Sequence, residues 1–192
     1  LKRECTSKNH SAVHLLHSAL RNLFGNNVHQ SGSKVESEKL RFDFNYESNL
    51  NEEDIIEIER LVNTYIQDNI PRHTEIKKLS DAISSGAIAL FENKYKDDVR
   101  VVNYGDISSE LCGGTHVDRT GDIGMFIIIS AEGIGKGIRR ITAVTGLEAL
   151  KYVQEKISTL NTISKMYKVK PKDLISKVSL ELNKETKNED FK

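Results

Sequence analysis

A chain of 192 residues can bury one sizeable core, which sets the expectation at one domain, or two at most. Lys plus Arg and Asp plus Glu both count 28, so the formal net charge is zero and no global field draws nucleic acid; any RNA contact must be a local patch. The longest wholly apolar run, Met125 to Ile129, is far too short to cross a bilayer, and the opening Leu-Lys-Arg-Glu-Cys forms no secretory signal. A cytoplasmic setting with two reduced cysteines, Cys5 and Cys112, is expected, and the lack of an initiator Met reads as a piece of a longer protein.

Taken in order, Ser7 or Asn9 is expected to cap a first helix running to about Phe24. Ala12, Leu15, Leu16, Ala19, Leu20 and Leu23 recur at helical spacing, and Gly25 stops the run. Val28 to Val35 reads as a strand interrupted at Gly32. Leu40, Phe42, Phe44 and Tyr46 alternate with Arg41, Asp43 and Asn45 as a half-buried strand does. Asn51 caps a second helix carrying Ile55, Ile58, Leu61, Val62, Tyr65 and Ile66, which ends before Pro71. A short strand (73–77) and a short helix after Ser80 follow. Gly86-Ala-Ile-Ala-Leu-Phe91 fits helix or strand, and 99–104 reads as a strand leading directly into Ser108-Ser-Glu-Leu-Cys-Gly-Gly-Thr-His-Val117.

Two more strands, 125–130 and 138–144, flank Gly133-Ile-Gly-Lys-Gly137, which lacks the second gap of a dinucleotide fingerprint and the Lys-Ser/Thr ending of a phosphate loop. It reads either as a solvated hairpin or, with the basic cluster Lys136, Arg139 and Arg140, as an RNA contact. From Gly146 the pattern becomes helical: Leu150, Val153, Ile157 and Leu160 keep a heptad-like spacing that Ser164 ends. A further amphipathic segment follows Pro171, and a charged tail from Asn183 is expected to fray. Strands and helices mix without strict alternation. The expected class is therefore α+β, a largely antiparallel sheet packed with helices and followed by a C-terminal helical arm, divided as 1–147 and 148–192.

Within this frame Cys112 and His116 stand on either side of Gly113, Gly114 and Thr115, where glycines free to take positive φ would allow a tight turn and close approach of a substrate or metal. About a hundred residues earlier, His10 and His14 are spaced i, i+4 on one helix face, with His17 three residues on as an alternative partner or supporting group. One thiolate and three imidazoles form a borderline-soft, four-donor set that suits zinc rather than magnesium or calcium.

Six blocks in order carry a resemblance: Asn9-His10-Ser-Ala-Val-His14-Leu-Leu-His17; Val28-His-Gln30-Ser-Gly32-Ser33; Leu40-Arg-Phe-Asp-Phe44; Gly86-Ala-Ile-Ala-Leu-Phe91; Ser109-Glu-Leu-Cys112-Gly-Gly-Thr-His116-Val; and Gly137-Ile-Arg139-Arg140-Ile with Thr145-Gly146. Together they resemble the editing domain of alanyl-tRNA synthetases over about residues 7–147, and Cys112-Gly-Gly-Thr-His116 is of the alanyl rather than the threonyl type. The resemblance implies a zinc site at His10, His14, Cys112 and His116, and an editing pocket containing Gln30. It implies hydrolysis of tRNA(Ala) mischarged with Ser or Gly, with the rest of a synthetase chain as partner and no role for DNA or a membrane. The aminoacylation domain is absent from these residues.

Such a second sieve answers a physical need, because a pocket built for alanine cannot exclude glycine by size and rejects serine's hydroxyl only weakly. Gln30, Thr115, Ser31 and Ser33 are the candidates to read that hydroxyl; Gln30, Cys112 and Thr115 are the catalytic candidates. Zinc there could activate water, polarise the carbonyl or hold the substrate, yet four protein donors close a tetrahedron. The competing readings are a structural zinc module whose arm binds RNA or protein, and a free-standing alanyl editing deacylase.

Overall fold

The computed structural model describes residues 2–90 and 97–189, with side chains as far as 183. The element order is α1 (Lys2–Phe24), β1 (Gln30–Val35), β2 (Leu40–Asn45), α2 (Glu52–Gln67), β3 (Arg72–Lys78), α3 (Leu79–Ser84), β4 (Asp98–Tyr104), β5 (Ser108–Leu111), β6 (Phe126–Gly135), β7 (Ile138–Thr145), α4 (Gly146–Met166) and α5 (Leu174–Glu189). Four strands form one sheet in the order β1-β2-β7-β6 and three form another in the order β3-β4-β5, every pair antiparallel. The class is α+β.

Helix α1 is the seat of the site. Ala12, Leu15, Leu16, Ala19 and Leu20 are fully buried, and so, nearly, are Asn9, Ser11, His14 and His17. A helix enclosed on almost every side belongs inside the fold, and α1 meets β1, β2 and β7 of one sheet and β5 of the other. Each of its buried leucines contributes on the order of 2 kcal/mol through removal from water, which makes α1 a stiff support for its histidines. It starts earlier than its polar residues suggest. Ser7 Oγ returns to Arg3 O within the helix rather than capping it, and Asn9 instead donates to Glu36 O and accepts from Thr145 Oγ1. At the far end Gly25 takes φ +96° and donates to Arg21 O, the expected glycine stop.

The main core adds Leu40, Phe42 and Phe44 of β2, Ile58, Val62 and Ile66 of α2, and Phe126, Ile128, Ile141 and Ala143 of β6 and β7. Asn51 caps α2 in a reciprocal box with Asp54, as the spacing predicts. Alternation in β2 fails at Asp43, which is buried because Arg140 clamps it across the sheet. Strand β4 does not run directly into the Cys112 stretch; it turns through Gly105 into β5, which delivers that stretch back across the sheet. Gly86 ends a turn at φ +86°, Ile88 makes one parallel bridge to Glu110, and Phe91 lies outside the described residues.

Residues 1–149 and 150–192 form two compact units. In the second, α4 ends near Met166, Lys168 takes φ +54°, and α5 continues to Glu189, further than the charged tail's expected fraying; 190–192 lie outside the described residues. No helix among the described residues is long and apolar enough to cross a membrane.

Candidate metal centre

The two histidines of α1 and the turn that follows β5 converge. One ligand atom each from His10, His14, Cys112 and His116 lies within 4.8 Å of all the others. His116 Nε2 is 3.2 Å and His10 Nε2 3.5 Å from Cys112 Sγ. A nitrogen and a sulfur at ordinary zinc bond lengths and a tetrahedral angle stand about 3.6 Å apart, so this spacing needs only small adjustment to take the ion. His14 presents Nε2 to Glu110 Oε2 at 3.6 Å and leaves a buried Nδ1 with no hydrogen-bond partner. An orphaned imidazole nitrogen beside three other soft or borderline donors fits a metal, and zinc best among common ions.

Electrostatics agrees with neutral imidazoles. Burial, then the charge of His14, lowers His10 to about 4, and burial lowers His14 and His116 as well. Burial also raises the Cys112 thiol, an effect that a bound dication reverses by stabilising the thiolate.

The ligand turn is not shaped as its glycines suggest. Neither Gly113 nor Gly114 takes a positive φ. Gly114 is needed for space: a Cβ there would collide with the His10 imidazole, whereas one on Gly113 would meet nothing within 4 Å. Two arginines fix the turn by its carbonyls. Arg100 Nη1 of β4 donates to Cys112 O at 2.9 Å and Gly114 O at 2.7 Å; Arg72 Nη1 of β3 donates to His116 O at 2.7 Å.

Sequence reasoning missed Glu110. It is almost completely buried, faces His14, and bonds His17 Nδ1 at 3.1 Å. Its own burial favours the neutral acid, but His14, His17 and His10 together outweigh that and hold its pKa low. A buried carboxylate oriented by one histidine and facing another is the usual support for a metal-bound imidazole, and His17 therefore stands behind the cluster rather than in it. The available signal was the carboxylate two residues before Cys112, which period-2 spacing points to the same sheet face as the thiol.

Other sequence candidates lie outside the cluster. Gln30 opens β1 opposite Phe44, half-buried, where the pairing with β2 shifts register before Gly32. Thr115, Ser31 and Ser33 are exposed. Among the described residues the side chain of none of the four hydrogen-bonds to the cluster, although the Thr115 backbone bonds the His10 ring. Gly133 to Gly137 forms the β6–β7 hairpin end, with Lys136 exposed. Arg139 is buried and donates to Ser48 O, Glu47 O and Ile138 O, while Arg140 forms a two-bond pair with Asp43, 2.8 Å at each contact. Both guanidinium groups are thus engaged within the fold. Cys5 and Cys112 are both unpaired thiols.

Residues 99–142, which include Cys112 and His116, match the family described as threonyl and alanyl tRNA synthetase second additional domain. The chain is 49% identical over 183 residues to an alanine-tRNA ligase of Pseudoalteromonas translucida, covering 95% of this chain and 21% of that protein. To that of Idiomarina loihiensis it is 48% identical, over 92% of this chain and 20% of the relative. To that of Thermoanaerobacter sp. strain X514 it is 44% identical, over the whole chain and 22% of the relative. The chain thus spans about a fifth of the length of the curated relatives it matches. These sequence matches lead to one conclusion: the chain belongs, as an editing-domain fragment, to the alanyl-tRNA synthetase family, whose second additional domain is shared with the threonyl enzymes.

Proposed function

We propose that this domain hydrolyses the ester of tRNA(Ala) mischarged with Ser or Gly, using zinc held by His10, His14, Cys112 and His116. The convergence of those four donors, in a chain whose relatives are named alanine-tRNA ligases, is the observation that carries the reading. Zinc in this set would supply a Lewis acid to the ester or its attacking water, or a fixed anchor for the substrate.

The chain's own residues do the placing. Glu110 orients His14, and Arg72 and Arg100 hold the backbone of the Cys112–His116 turn, so ligand positions are set before substrate arrives. An open cavity of about 340 Å³ lined by Glu4, Ser7, Lys8, Val117, Asp118 and Asp122 borders His116. Gln30 and Thr115 are the polar groups proposed to read serine's hydroxyl, because a site that leaves its polar groups unpaired with alanine disfavours alanine. Lys136, exposed at the hairpin end, is the proposed contact to the RNA backbone, with Arg139 and Arg140 stiffening the strands beneath it. The remainder of a synthetase chain and a cytoplasmic setting belong to the same proposal.

A second reading, a purely structural zinc module, is favoured by the closed count of four protein donors. Incubation with Ser-tRNA(Ala) and Ala-tRNA(Ala) separates the two. Faster release of serine than of alanine, lost in Cys112→Ala protein that remains folded, supports editing; folded, zinc-bearing chain that leaves both esters intact supports the structural module.

A further inference from the structure

Behind His116 lies a buried set of hydroxyl and amide groups whose protons can be assigned one by one. Tyr104 Oη is 2.8 Å from Val117 O, and a carbonyl only accepts, so the single phenolic proton lies in that bond. Ser11 Oγ is 3.0 Å from the same phenol oxygen. With the phenolic proton already placed, the serine has to be the donor there. Its only proton being used, Ser11 Oγ accepts from Val117 N at 3.1 Å and can only accept from His116 Nδ1, also at 3.1 Å. Nδ1 therefore carries the imidazole proton. Nε2, 3.2 Å from Cys112 Sγ, carries the lone pair.

We infer that Ser11, held in its donor direction by Tyr104, is a positioning residue that fixes His116 as the Nδ1–H tautomer and so aims an unprotonated Nε2 at the metal position. This rests on the zinc reading above. The assignment leaves no polar atom of the set unpaired: Ser11, Tyr104 and His116 are all absent from the buried side-chain atoms without partners, among the described residues. Burial pushes the Tyr104 phenol up to about 12, so its proton is in place throughout the neutral range. The three contributors come from α1, β4 and the ligand turn, and the network is buried. Which nitrogen of a histidine meets a metal is set by the hydrogen bond at the other, and here that bond is decided two groups away.

Two changes release the constraint differently. Ser11→Ala removes the acceptor at Nδ1, which lets the ring turn its proton to Nε2 and donate to Cys112 Sγ. Tyr104→Phe removes the acceptor that held the serine proton, which frees Ser11 to donate to Nδ1 and drives the imidazole proton to the same place. Long-range proton–nitrogen spectra of the chain with labelled histidines, freed of metal, read the tautomer directly; competition with a chelator of known strength reads zinc affinity.

The expected result is Nδ1–H in the wild type, Nε2–H in both variants, and zinc affinity lower by about 10–100-fold in each. In the Ser11→Ala background, adding Tyr104→Phe is expected to cost no further affinity, since both act through one proton. A wild-type His116 protonated at Nε2 overturns the inference, and so does Tyr104→Phe with wild-type affinity, even if it melts earlier. If metal removal loosens the chain, the affinities of the loaded proteins decide alone. A chain that takes up no zinc refutes the metal reading, while its tautomer spectrum still upholds or overturns the proton assignment.

Discussion

Gly114→Ala attacks the proposed centre without removing a ligand atom. A Cβ at that position collides with Cε1 and Nδ1 of the His10 ring and lies 3.4 Å from Nε2. Because Gly114 has no positive φ, the backbone itself accepts alanine, and the whole effect falls on the imidazole. His10 projects from a helix whose buried leucines prevent it from sliding, so the ring has to rotate out of the cluster. Binding of zinc by a four-ligand protein site is worth roughly 12 kcal/mol; losing one of four donors removes about a quarter of it, about 3 kcal/mol, or about two orders of magnitude in affinity. Chelator competition on Gly114→Ala, Gly113→Ala and His10→Ala makes the comparison. The expected order is wild type equal to Gly113→Ala, with Gly114→Ala close to His10→Ala. Wild-type zinc affinity in Gly114→Ala would falsify the steric argument, because the same methyl at Gly113 meets nothing within 4 Å.

Glu110→Gln keeps the shape but not the charge facing His14 and His17, and is expected to weaken zinc by about 10–100-fold; unchanged binding by calorimetry would show that the carboxylate only fills space. Cys5→Ala is expected to leave zinc content intact and Cys112→Ala to reduce it sharply in folded protein, as measured by metal analysis; equal zinc in both refutes the ligand assignment. Hydrogen bonding to Arg140 holds the Asp43 carboxyl below its usual range, so this pair's contribution is fully present above about pH 4 and is lost as the pH falls through the lowered value. Arg140→Ala should therefore lower stability at neutral pH and change it little in acid. Identical denaturant midpoints at pH 7, or tRNA affinity lost without loss of stability, would instead favour a direct RNA contact.

The secondary structure was largely legible because periodicity is local: the leucines of α1 and the Asn51 cap state their roles within a few residues, and the alternation of β2 does so except at Asp43. The four candidate ligands were legible for a related reason, since i, i+4 histidines and a Cys-Gly-Gly-Thr-His turn are short motifs. What surrounds them was not. Arg72 and Arg100 hold the ligand turn from two strands of the second sheet, and no spacing in sequence links Arg72 to His116. Arg139 and Arg140 looked like a surface cluster because sequence shows charge and not partners; the partners, Ser48 O, Glu47 O and Asp43, come from β2 and the segment after it. Gly114 was correctly singled out but for the wrong cause, a backbone angle rather than the ring of a residue about a hundred positions away.

Four donors and catalysis are compatible if one donor is held less firmly than the rest, and the histidines are not held equally. His14 is 2% exposed with Glu110 facing it, and His116 is 6% exposed with Ser11 bonded to its Nδ1. His10 is only half-buried, and among the described residues its one side-chain hydrogen-bond partner is Cys112, with a further hydrogen bond at the Thr115 backbone. Thr115 is itself exposed, so what steadies His10 lies at the surface rather than in the interior. Opening the tetrahedron at His10 therefore draws on no buried polar support, whereas opening it at His14 or His116 takes one of several interior partners from Glu110 or Ser11. Alanine at His10 is accordingly expected to cost the least zinc affinity of the three histidines and to retain measurable Ser-tRNA(Ala) hydrolysis, while His14→Ala and His116→Ala lose both. Chelator competition and serine release on the three folded variants test this ranking. A His10→Ala chain that keeps zinc yet releases no serine would mean that His10 acts on the substrate rather than yielding its place, and equal zinc loss in all three would return the centre to a closed structural site.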